Sequence, residues 1–241
     1  MLKAIFRYER DKLLHSGRFV LPTLLLLGYI AAGYAIAPLN ILSSFSICAL
    51  ILFALMLSMG VMLSTLSEPM VEQTMLIKLR HPSYLYLGKA LLIAVLALVF
   101  ALTAVLLPLL INLLNHSKLF IRPVVFSDIV SGLVLFWLTG FSGGMLGLLF
   151  NPRLLPGRKI AVLLSVLAGL IAIAKGGLID ALPALRYPLI LLPPIYDACT
   201  AYSADLYFSL GHAWPPLLWL TAYSAAEITT YVFAMRAKRF E

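Results

Sequence analysis

Charged residues are confined to short intervals along this chain, and between them the sequence stays apolar over lengths that suit a lipid bilayer. No Asp, Glu, Lys or Arg occurs from Phe19 to Ser67, a run of 49 residues. One helical span needs about 20 apolar residues, so this run divides into two, with Pro38-Leu39-Asn40 supplying the turn. Further uncharged runs cover Ala90–Ser117 (28 residues), Ile129–Pro152 (24) and Ile160–Ala174 (15). The last extends to about Ile179 if Lys175 snorkels. A final apolar stretch, residues 213–235, contains Glu227. No segment alternates between turn signals as a barrel strand does. The pattern predicts a single all-α transmembrane domain over residues 1–241, with six spans at about 19–37, 42–66, 88–114, 127–150, 159–179 and 213–235.

Composition agrees. Hydrophobic residues make up 62% and charged residues only 12%, with a mean hydropathy of +1.01. A soluble domain carries about 25% charged residues, so a soluble enzyme is excluded. The net charge of +8 is explained by topology. Lys3, Arg7, Arg10, Lys12, Arg18, Lys78, Arg80, Lys89, Arg153, Arg158, Lys159, Arg236, Lys238 and Arg239 all fall on one face of a six-span arrangement. Only Lys118, Arg122, Lys175 and Arg186 fall on the other. The positive-inside rule makes the first face, with both termini, cytoplasmic, and no nucleic-acid partner is needed to account for the charge. Ala35-Ile36-Ala37 fits a signal-peptide cleavage site, but the charged region before it is long and contains Glu9 and Asp11, so span one is expected to stay.

The residues around the spans add detail. Leu2–Leu14 combines apolar positions 2, 5, 6 and 13 with a charged face, the pattern of an amphipathic helix at the inner membrane surface. Residues 180–212 are too apolar for a solvated loop and too broken by Pro183, Pro188, Pro193 and Pro194 for a span, which predicts an outer re-entrant segment. Glu227 is the one carboxylate well inside a span. Tyr223, Glu227 and Thr230 share a helix face, so a place on a substrate path and a structural hydrogen bond to another helix are both open. The chain has no P-loop and no H-E-x-x-H, so neither ATP nor a metal is expected on it. Cys48 and Cys199 follow no disulfide or metal spacing.

The loop between spans two and three carries the most specific pattern. Val71, Met75 and Leu79 repeat at helical spacing beside Glu68, Glu72 and Lys78, and Pro82 ends the helix after His81. Glu72, Thr74, Leu76 and Leu79, Pro82-Ser83 and Gly88-Lys89 together resemble the corresponding loop in permease subunits of type-2 ABC exporters, with Gln73 where that family usually has Gly or Ser. The resemblance implies that residues 68–81 form a cytoplasmic coupling helix, with Glu72, Thr74, Met75, Leu79, Pro82 and Ser83 contacting an ABC ATPase subunit. It further implies that ATP and Mg sit on that partner, and that a second copy or a homologous permease encloses the path, in a bacterial cell membrane. The substrate expected from an uncharged path is an amphipathic or hydrophobic peptide, lipid or drug.

Two other readings compete with this one. Gly140-Phe141-Ser142-Gly143 and Gly211-His212 resemble the serine–histidine dyad of rhomboid intramembrane proteases. However, Ser142 lies about 24 Å along its span at 1.5 Å per residue, whereas His212 opens span six at the opposite surface. A nucleophile and base must approach to about 3 Å. The overlapping pairs Gly140/Gly144 and Gly143/Gly147 are better read as close helix packing. A non-transporting membrane scaffold is the third reading. The orientation is testable: cysteines at positions 118, 186 and 197 should react with an impermeant thiol reagent in intact cells. One at position 238 should not, and labelling there would reverse the topology.

Overall fold

The computed structural model describes residues 2–66, 69–79, 81, 83–155, 157–205 and 207–237. The described residues are helical apart from turns and a single bridge between Leu39 and Phe120. In chain order the helices are α1 (Leu2–Ser16), α2 (Val20–Gly33), α3 (Ile41–Leu66), α4 (Pro69–Lys78), α5 (Ser83–Leu114), α6 (Phe126–Leu149), α7 (Arg158–Ala181), α8 (Ile195–Tyr202) and α9 (Leu210–Ala237). Four of them, α3, α5, α6 and α7, are long and apolar enough to cross a membrane. The pair α1 and α2, bent by 73° at their junction, makes a fifth if taken as one span. Gly17 supplies that bend with a φ of +65°, a left-handed helix end that glycine adopts without strain.

The architecture is organised around α3 and α6. The glycines spaced for close packing sit between these helices, and backbone meets backbone there. A side-chain carbon on Gly60 would strike the carbonyl oxygen of Gly144, one on Gly143 the carbonyl oxygen of Phe53, and one on Gly147 that of Leu57. Gly140 makes room for the Leu52 side chain, and Gly144 faces Ile93 of α5. Thus α6 is wedged between α3 and α5, with α9 packed along it as well. Phe45, Leu52, Phe53, Met56, Leu135, Phe136 and Ile93 fill this core.

Several boundaries differ from the expected ones. The first apolar run yields α2 of 14 residues, because the helix stops before the turn whose Leu39 pairs with Phe120. α4 ends at Lys78 rather than 81, since a residue ahead of proline is pushed out of the helical region. Pro82 itself, with Glu68 and Arg80, lies outside the described residues. α5 then starts at Ser83, several residues before the expected span. α9 begins at Leu210 and carries Pro215 and Pro216 inside it; it is not among the helices long and apolar enough to cross.

Residues 180–212 fold into two short 3-10 turns, Pro183–Arg186 and Pro188–Leu191, followed by α8, which packs on α3, α7 and α9. Tyr196 of α8 lies directly on Gly176 of α7. Lys175 is buried and donates to Oδ2 of Asp197, a half-exposed carboxylate, at 2.6 Å. At the start of α6, Arg122 grips Asp128 with both ends of its guanidinium at 2.7 and 2.9 Å and lies over the Tyr207 ring. Asp128 also accepts the Val125 N–H, satisfying a donor that an uncapped helix start would leave open.

The packing separates two kinds of glycine. Alanine is preferred over glycine in a helix by about 1 kcal/mol, so Gly177→Ala, where nothing lies within 4 Å, should be neutral or raise the Tm. Gly147→Ala meets backbone that cannot move aside and should lower stability by about 1–3 kcal/mol. Thermal unfolding in detergent is the measurement. Equal Tm values for the two variants would show that α3 and α6 do not touch at Gly147.

Candidate functional site

Where α1, α4, α5, α9 and the α6–α7 loop converge, charged and hydroxyl groups are buried together. Glu72 is in the first turn of α4 and is 3% exposed. Lys89, two turns into α5, is fully buried, and its Nζ donates to Oε1 of Glu72 at 2.9 Å. Arg153, from the α6–α7 loop, approaches Oε2 of the same carboxylate at 3.2 Å. The loop is shaped by Asn151, whose Oδ1 accepts the Arg153 N–H and whose carbonyl accepts those of Leu154 and Leu155. One carboxylate thus ties three separate elements.

Two further elements close the cluster. Glu9 of α1 is 1% exposed, and its Oε2 has no hydrogen-bond partner among the described residues. Burial pushes the Glu9 carboxyl up, with Lys89 and Lys12 pulling the other way. From α9, Tyr231 sets its ring edge-on against Tyr86 of α5, and Tyr86 donates to the carbonyl of Met235. Gly88 permits this convergence: a side-chain carbon there would collide with Ile5 of α1. The Gly88-Lys89 step therefore lets α1 lie on α5 and supplies the cation for Glu72.

Ion pairs buried in this way are expensive to desolvate and gain their value by fixing one arrangement. The arrangement here is mechanical. A displacement of α4 cannot occur without moving Lys89 on α5 and Arg153 ahead of α7, or breaking the pairs.

The residues expected to contact an ATPase divide between two faces of α4. Met75 and Leu79 are half-buried and, with Ala4, Ile5 and Tyr8 of α1, line an apolar cavity of about 230 Å³. Their stripe faces the protein. The outward face is instead Met70, Thr74 and Ile77; Met70 is 78% and Ile77 76% exposed, and Thr74 donates to the Met70 carbonyl. Val71 is also exposed. Glu72 points inward, Ser83 is half-buried at the start of α5, and Pro82 lies outside the described residues.

The residues read as a path also separate. Glu227 is buried, and its Oε2 accepts a hydrogen bond from Ser142 of α6 at 3.0 Å, while Oε1 has no partner among the described residues. Tyr223 is half-buried and donates to the Leu191 carbonyl, and Thr230 is exposed. Ser142 therefore has a carboxylate as its partner. His212 is exposed and pairs with Asp205 at 2.8 Å. Among the described residues no three metal-ligating side chains come together.

Glu9 and Arg153 are missed by sequence reasoning because a charged group at a span end reads first as a topology signal, and Asn151 because a lone amide in a loop carries no pattern. No family model, curated protein or solved structure matches this chain.

Losing Lys89 leaves Glu72 with Arg153 as its remaining countercharge, so the cost is that of a charged hydrogen bond, about 1.5–3 kcal/mol. Lys89→Met should therefore destabilise the protein by that order. Lys89→Met combined with Glu72→Gln should recover part of the loss. Chemical unfolding in detergent reads both, and additive losses would show that Lys89 and Glu72 do not interact.

Proposed function

We propose that this chain is the membrane-spanning permease subunit of an ABC exporter that moves an amphipathic or hydrophobic substrate, such as a peptide, lipid or drug, out of the cytoplasm. On this reading α2, α3, α5, α6, α7 and α9 are six spans, α1 lies at the inner membrane surface, and α4 is the cytoplasmic coupling helix. Both termini are cytoplasmic, and the setting is a bacterial cell membrane. The chain performs no covalent chemistry. A separate ATPase subunit holds ATP and Mg, and a second copy or homologous permease completes the path.

The observation that supports the reading is the state of α4. It is a short helix at the end of the bundle with an apolar outer face and a buried ionic anchor on its inner face. Met70, Thr74 and Ile77 fall on one side at helical spacing, and two large apolar groups exposed there suit a protein contact better than water. Glu72 beneath them is joined to Lys89 and Arg153. Force applied to the outer face by a closing ATPase would reach α5 and the α6–α7 loop through those pairs. Switching the bundle between inward and outward access requires that linkage.

The structure changes which side chains test the dock. Truncating an interface anchor costs about 2 kcal/mol or more, and 1.4 kcal/mol is tenfold in affinity. Met70→Ala with Ile77→Ala should weaken capture of the ATPase at least tenfold while leaving the Tm of the isolated chain unchanged. Met75→Ala with Leu79→Ala should act first on stability, because those side chains pack toward α1. The measurement is affinity purification of the tagged chain from its native membranes, with mass spectrometry for a P-loop ATPase. Full retention of the ATPase by the Met70/Ile77 variant, or its absence from the parent, would overturn the reading.

A further inference from the structure

A cavity of about 520 Å³ runs between α3, from Ala54 to Thr65, and α7, from Arg158 to Ile173. It is of small-ligand size, since such pockets occupy about 300–1,000 Å³. Leu57 packs on Gly169 along its floor. From that contact α3 runs on to Thr65 while α7 runs back to Arg158, so both reach the same end of the groove. Arg18, from the α1–α2 junction, lines it too. The rest of the lining is apolar apart from Ser58, Thr65 and Ser165, whose hydroxyls each donate to a carbonyl of their own helix. The groove is thus apolar along its length and basic at one end.

Arg18 and Arg158 are both exposed, and neither side chain has a hydrogen bond or ion pair among the described residues. In this they differ from Arg153 and Lys89, which a carboxylate engages. Two guanidiniums at the mouth of an apolar groove have a specific chemical complement. A phosphate can take several charge-assisted N–H donors at once, and an acyl chain suits the aliphatic walls. Basic pockets between membrane helices bind acidic lipid head groups on this principle.

The length agrees. Along α3 the groove extends about 16 Å at 1.5 Å per residue, and half of a hydrocarbon core of about 30 Å is about 15 Å. Along α7 the lining from Arg158 to Ile173 extends about 22 Å, so the groove is long enough for an acyl chain of one leaflet.

We propose that the α3–α7 groove binds an acidic phospholipid of the leaflet on the Arg18 side, with its phosphate between Arg18 and Arg158 and one acyl chain lying along Ser58 and Gly169. This needs only a membrane around the chain and stands whether or not an ATPase docks on α4.

Native mass spectrometry of the detergent-purified chain tests it, with phosphatidylglycerol and phosphatidylcholine of identical acyl chains as probes. The parent should retain phosphatidylglycerol at a concentration at least tenfold lower than phosphatidylcholine. Arg18→Gln with Arg158→Gln should reduce that preference to less than twofold, and Arg18→Lys with Arg158→Lys should keep most of it. Ser58→Phe, which fills the groove, should abolish retention of both lipids while the chain elutes as the parent does. Equal retention of the two lipids by the parent, or an unchanged preference in the double glutamine variant, overturns the proposal. So does displacement of the lipid by glycerol phosphate at equal concentration, which would mark a site for small anions. A dimer mass without lipid that is lost on Ser58→Phe would assign the groove to a second copy and also overturn it.

Discussion

Two helices in lipid gain little from hiding apolar surface, because the tails around them are equally apolar; they associate where their surfaces fit closely. In this chain the closest fit is between α3 and α6. Gly60, Gly143 and Gly147 bring backbone against backbone there, and the adjacent face of α6 receives Ile93 of α5 at Gly144. A larger residue at any of these positions would push the helices apart by the width of a side chain. The consequences would extend to the ends of the bundle, because α6 is the element that α3, α5 and α9 all touch. The Ser142–Glu227 bond between α6 and α9 is one such dependent contact. It has hydrogen-bonding geometry only while α6 stays at its present depth.

Charge is used differently at the two ends. Near α8 the pairs are one-to-one: Arg122 with Asp128, Lys175 with Asp197, and His212 with Asp205. Arg122 and Asp128 are six residues apart and pin the start of one helix. Lys175 and Asp197 hold α8 against α7 across the two 3-10 turns. At the α4 end a single buried carboxylate gathers cations from two distant parts of the chain. A pair that fastens a loop stabilises it; a shared carboxylate between three elements makes them move together. On the proposed reading, that difference makes the α4 end the one that would transmit motion from a partner.

Much of this was legible in advance. The uncharged runs announce apolar helices, since backbone groups in lipid have no other way to pair. The overlapping glycine pairs of α6 announce close packing, and the structure puts α3 and α5 against them. Helical spacing in the loop before Pro82 announces a short helix, and α4 forms there. Gly88 and Lys89 stood out only as part of the loop pattern; that Gly88 admits Ile5 and Lys89 pairs with Glu72 was not in it. Spacing could not show that Lys175 turns inward toward Asp197, because the segment carrying Asp197 is too broken to have a regular period.

By itself, then, the sequence determined that the chain is helical, where four of its long apolar helices fall, and that the glycines of α6 face a neighbour. These follow from local rules: the length of an uncharged run, the period of a helix, the missing side chain of glycine. Only the tertiary structure decided which face of α4 looks outward, that Met75 and Leu79 pack toward α1 while Met70 and Ile77 do not, and that Glu72 lies beneath them with Lys89 and Arg153. An amphipathic helix with two apolar edges can be laid down on either. The choice was made by where α1, α5 and the α6–α7 loop come together, and that is set by contacts between residues far apart in the chain.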